Sequence, residues 1–78
     1  MTDAEKIAAI RRQHLKANIA EFQGRRGFRL HWDRAWLDPG FGDGPYVKLP
    51  VTYHGQGIDD EFVVRVYPTA RLRRKLNA

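Results

Sequence analysis

Tyr46-Val47-Lys48-Leu49-Pro50-Val51-Thr52-Tyr53-His54-Gly55-Gln56-Gly57-Ile58-Asp59-Asp60-Glu61-Phe62-Val63-Val64-Arg65-Val66-Tyr67 is the stretch on which the fold turns. Val47, Leu49, Val51 and Tyr53 recur at every second position, the period of a strand with one buried face. After the short turn His54-Gly55-Gln56-Gly57, residues Phe62, Val64 and Val66 share one face, and Val63, Arg65 and Tyr67 share the other. Two alternating runs joined by a glycine-containing turn predict a β-hairpin. Pro50 has no N–H to give a ladder, so the first run reads as an edge strand, or as one with a bulge at Pro50.

Upstream, Phe28-Arg29-Leu30-His31-Trp32 alternates in the same way, with Phe28, Leu30 and Trp32 inward and Arg29, His31 and Asp33 outward. The segment Asp38-Pro39-Gly40-Phe41-Gly42-Asp43-Gly44-Pro45 is dense in turn formers and reads as a loop. The N-terminal residues predict a helix over about 3–22. Thr2 is its N-cap and Glu5 reaches back in a capping box. At about 100° per residue, Ile7, Ala8, Leu15, Ile19 and Phe22 gather on the expected core side. Arg11 and Asn18 fall inside that stripe, and Gly24 suits the C-terminal cap. Downstream, Pro68 stops the last strand, and Thr69 caps a short helix from Ala70 to about Asn77 with Leu72 and Leu76 on one face.

The expected fold is therefore α+β, in the order α-β-β-β-α. The N-terminal helix packs on a three-stranded antiparallel meander, and a short C-terminal helix follows. With 78 residues, the chain forms a single compact domain, 1–78. A domain of this size has little surface to bury, so a monomer or a weak homodimer is expected.

The chain contains no Cys, and no Ser occurs in it either. Disulfides, thiolate metal sites and Cys or Ser nucleophiles are excluded by absence. His31, Asp33 and His54 are metal-ligand types, but their spacing matches no closed metal signature. Asp59-Asp60-Glu61 reads as a solvated hairpin end, with Asp59 and Glu61 on one face. The Gly40–Gly44 loop lacks the Gly-Lys-Ser/Thr and the helix start that a phosphate loop needs. No cofactor and no catalytic residue is expected, and the chain reads as a non-enzyme.

The net charge is +5, from 14 Lys+Arg against 9 Asp+Glu. Arg11 and Arg12 lie on the first helix, Arg25, Arg26 and Arg29 at the next loop and strand, and Arg71, Arg73, Arg74 and Lys75 near the C-terminus. If the C-terminal helix folds beside the loop at Gly24, these cations merge into one patch that attracts polyanions. Trp36 and Phe41, in or beside the long loop, are the candidate exposed aromatics. Arg26-Gly27-Phe28-Arg29-Leu30-His31-Trp32 looks like the start of the basic-Gly-aromatic signature of RNA-recognition motifs. It departs from that family at Arg29 and Leu30, and the helix-first order does not fit that fold.

In format the chain resembles anti-CRISPR proteins, the inhibitors that phages and mobile elements encode: very short, single-domain, cysteine-free and without catalytic equipment. Those families share no motif, so the resemblance transfers no residue roles. It implies an inhibitor that engages a nucleoprotein complex, such as a CRISPR surveillance complex, and blocks nucleic-acid binding. A basic chain does not mimic DNA by charge, so contact would run through a basic and aromatic surface. The alternatives are direct DNA or RNA binding, and a small structural or regulatory subunit of a larger assembly. The N-terminus shows no basic and apolar leader pattern, so a cytoplasmic, membrane-free setting is the expectation.

Overall fold

The computed structural model describes residues 1–14, 26–42 and 44–77. The order of elements is helix α1 (Asp3–His14), strand β1 (Phe28–Leu30), a 3-10 turn (Trp32–Arg34), strand β2 (Trp36–Asp38), strands β3 (Tyr46–Gly55) and β4 (Ile58–Val66), and helix α2 (Ala70–Leu76). The α+β architecture is as the sequence predicts, with four strands in place of three. The expected helix over 15–22, its stripe residues Leu15, Asn18, Ile19 and Phe22, and the Gly24 cap lie outside the described residues.

The hairpin is the backbone of the sheet. β3 and β4 pair without interruption from Val47↔Val66 to Gly55↔Ile58. Gln56 and Gly57 both have positive φ, 52° and 75°, which is the left-handed pair that a type I′ turn requires. That turn twists with the strands it joins, so the two-residue loop closes the hairpin without a bulge.

β3 is the central strand, not the edge. β4 lies on one side of it, and β1 and β2 lie end to end on the other. Pro50 explains how a proline is tolerated there. In a strand, a residue's N–H and C=O point to the same side. The Pro50 carbonyl accepts from His31 N at 2.9 Å, so the missing N–H also faces the β1 side. The His31 carbonyl, deprived of its ladder donor, accepts from Arg34 N at 3.0 Å. The chain turns there instead of continuing. Three residues are thereby inserted: Leu30 pairs with Val51, whereas Trp36 pairs with Lys48. The predicted strand through Trp32 therefore ends at Leu30, and His31 and Asp33 do not share a strand face. Trp32 still packs against the core.

The core lies on one face of the sheet. Val47, Leu49 and Val51 of β3, Val66 of β4, Ile10 of α1 and Leu76 of α2 are buried together. Both helices thus cover the same face. The buried side of α1 centres on Ile10, with Ile7 packed beside it. Ala8, expected on the core side, is exposed. The reason is geometric: Ile10 lies about 160° round the helix from Ala8, so burying Ile10 turns Ala8 out. Caps form as expected. Thr2 and Glu5 exchange hydrogen bonds at 3.0 and 3.2 Å. Thr69 Oγ1 accepts from Leu72 N at 3.3 Å.

Candidate binding surface

Two surfaces result, and they differ in how their charges are used. The helical layer carries Lys6, Arg11 and Arg12 on α1 and Arg71, Arg73, Arg74 and Lys75 on α2, against Asp3 and Glu5. Asp3 and Glu5 sit in the first turn of α1, where the helix dipole favours them. The Thr2 backbone N–H and then its hydroxyl hold Glu5 below its ordinary pKa. Gln13 clamps the two helices together. Its Nε2 donates to Thr69 Oγ1 at 2.9 Å and its Oε1 accepts from Thr69 N at 3.1 Å. His14 Nε2 lies 2.7 Å from the Tyr67 carbonyl and extends the same junction.

Within this layer, Arg11, Arg12, Arg71, Arg74 and Lys75 are exposed. Arg11 also stacks, with its guanidinium carbon 5.5 Å from the centre of the Trp32 ring. Ala4, Ala8, Arg11, Trp32 and Ala35 line an open groove there of about 660 Å³. Arg73 is half-buried. A Cβ on Gly44 would lie 3.0 Å from Arg73 Cγ and 2.8 Å from Asn77 Nδ2, and Gly44 has φ +88°, so glycine lets α2 dock against the loop.

Among the described residues, the cations do not gather into one patch. Gly27 accepts from His54 N at 2.9 Å, which places Arg26 at the turn end of β3. α2 docks on Gly44, at the opposite end. The eight steps from Tyr46 to His54 span about 26 Å at ~3.3 Å per residue, well beyond the screening length of about 8–10 Å. The helical cations therefore act as one set, and Arg26 and Arg29 as another. Arg25 lies outside the described residues. The physical reason is the split edge strand: β1 returns alongside the far half of β3, and β2 carries the chain back to the near end.

The open sheet face, away from the helices, holds Arg29, Trp36, Lys48, Val63, Arg65 and Tyr67, as their register positions dictate. Trp36 is 45% exposed and Phe41, in the loop, is wholly exposed. The two expected aromatics are thus both open but on different elements. Three ion pairs lie on this face: Arg34–Glu61 at 3.5 Å, Lys48–Asp38 at 3.2 Å, and His54–Asp59. Asp38 is held below the ordinary carboxylate range first by the Gly40 N–H and then by Lys48. Tyr46 and Tyr67 stack at 5.0 Å, and the Tyr67 side chain raises the Arg65 guanidinium pKa, followed by Tyr46. Arg34, Lys48 and Arg65 are missing from the sequence-based set. The alternation in β3 and β4 carries their signal, since Lys48 and Arg65 occupy polar-face positions directly opposite one another.

His31 Nε2 meets Thr52 Oγ1 at 2.8 Å, and His54 meets Asp59, so the two imidazoles are engaged separately. Among the described residues, no three metal-ligating side chains cluster. No helix among them is long and apolar enough to cross a membrane. Comparisons with protein-family models, curated proteins and solved structures found no match to this chain.

Proposed function

We propose that this chain is a non-catalytic binding protein of inhibitor type. It engages a nucleoprotein complex through a basic and aromatic surface and blocks nucleic-acid loading, as the anti-CRISPR proteins it resembles in format do. One observation carries the reading. Every ion pair among the described residues lies on the open sheet face, whereas the helical layer holds exposed arginines with no carboxylate partner among those residues. Guanidinium groups left unpaired are ready to form bidentate bonds with phosphate or carboxylate. The chemistry that such a surface performs is recognition, in a cytoplasmic setting. The test is target-DNA loading on a CRISPR surveillance complex with and without the purified protein. Reduced loading is expected, and reversal of Arg71, Arg74 and Lys75 to Glu relieves it. Unchanged loading at saturating protein rejects the inhibitor reading.

Direct DNA or RNA binding is the second reading, favoured by the same unpaired cations, which suit phosphate oxygens. A labelled single strand or duplex then shifts at low salt and is released as salt rises. No shift at low ionic strength removes this reading and leaves the first intact.

A further inference from the structure

We propose that the outer edge of β4 is a self-recognition edge, through which two copies of the chain pair antiparallel into one continuous sheet. The argument begins with backbone direction. His54 N bonds to Gly27 O and His31 N to Pro50 O, so the even-numbered residues of β3 turn their polar groups towards β1. The odd-numbered ones therefore face β4 and bond to residues 58, 60, 62, 64 and 66. Asp59, Glu61, Val63 and Arg65 are left with N–H and C=O groups directed away from the sheet. No described residue covers them: all four are exposed, Val63 to 48%. Among the described residues, the sole backbone bond on this edge is the Glu61 N–H donating to the Asp60 carboxylate at 2.9 Å, a contact with the preceding residue that a partner carbonyl replaces.

The side chains on this edge are most fully self-complementary in the register centred on Val63. With Val63 opposite Val63 of a second copy, Glu61, which within its own chain also pairs with Arg34 at 3.5 Å, faces Arg65 of that copy, and Arg65 faces its Glu61. Both ion pairs and the apolar contact fall on the open sheet face. All three positions belong to the outward-bonding set, so hydrogen bonds and side chains agree on the same alignment. Sliding one copy by two residues sets Glu61 against Val63 and Asp59 against Arg65, which keeps two charge pairs but loses the Val63–Val63 contact. Exposed edge strands are ordinarily blunted by charged side chains, above all lysine, by proline or by a bulge; β4 has no lysine, proline or bulge, and of its charges Glu61 and Arg65 are matched in the paired register. A strand-adding peptide from another protein is the competing occupant. The mirrored charge pattern favours a second copy.

Val63→Pro isolates the edge. The amide lost faces outward, so the β3–β4 ladder keeps every bond. Sedimentation of the full chain from about 1 µM to 1 mM is expected to show a monomer–dimer equilibrium. Val63→Pro weakens it by about tenfold or more with unchanged circular dichroism and melting. Glu61→Arg and Arg65→Glu each weaken self-association about tenfold, and mixing the two variants restores a heterodimer. That mixing decides the question even if Val63→Pro misfolds. A wild-type chain that stays monomeric throughout, a folded Val63→Pro that dimerises normally, or a charge-swapped pair that fails to recover overturns the proposal.

Discussion

The two flanks of β3 are built from the same strand yet behave differently. On one side, β4 follows it through an unbroken ladder. On the other, the neighbour is cut into β1 and β2 by a 3-10 turn. The contrast traces to a single missing hydrogen. Pro50 offers a carbonyl but no N–H, and both positions face the cut side. A proline in a central strand is thus accommodated by its neighbour rather than by its own strand. The cut also has a consequence for charge. It lets Arg34 reach across the sheet to Glu61, and it sets Arg26 and Arg29 at the end of β3 remote from α2.

The largest perturbation strikes both flanks at once. Leu49 is fully buried beside the point where the edge strand breaks. Leu49→Ala is expected to cost about 2–5 kcal/mol in urea unfolding. A loss below about 1 kcal/mol would mean that the sheet face is not the core.

The unbroken flank is sharpened at its turn. Gln56 adopts φ 52° where asparagine or glycine is preferred. Gln56→Asn or Gln56→Gly should raise stability by about 0.5–1 kcal/mol. Destabilisation by both would contradict a type I′ turn.

A smaller effect tests the broken flank. Pro50→Val restores an amide facing the His31 carbonyl, which Arg34 N now occupies. Net stability should move by less than about 1 kcal/mol, because the chain regains one bond while losing the preset φ of proline. The amide at position 50 should exchange slowly with solvent. Rapid exchange there would show that the donor does not face β1.

The smallest effect is the acid response of the caps. Asp38 on β2 and Glu5 on α1 both have lowered pKa values. Their contributions are present in full above the ordinary carboxylate range, about pH 4. They are lost as pH falls through the lowered folded values. Asp38→Asn and Glu5→Gln should each flatten the acid limb of stability against pH. An unaltered limb in Asp38→Asn would remove the Gly40 bond from the account.

Much of the architecture was legible because its causes are local. The alternation of Val47, Leu49 and Val51, the Gln56-Gly57 turn, the Thr2–Glu5 box and the Thr69 cap each involve residues within a few positions of one another. At Pro50 the sequence points to an edge or a bulge in β3 itself, whereas the irregularity lies in the strand opposite. Ile10 escaped the helix stripe because Ala8 and its neighbours offered a competing apolar side, and only packing on Val47 and Leu49 chooses between them. The positive charge of the cations follows from their identity, but their separation along β3 is not readable from the sequence.

From residue order alone came the helix-first α+β plan, the hairpin, the caps and the excess of positive charge, since these follow from short-range sterics, periodicity and composition. Tertiary structure alone decided that β3 is central, that Ile10 faces the core and that the arginines divide between two ends of the sheet. Strand pairing brings together residues distant in sequence, and which hydrogen-bonding edge meets which neighbour is fixed by contacts that no local pattern encodes.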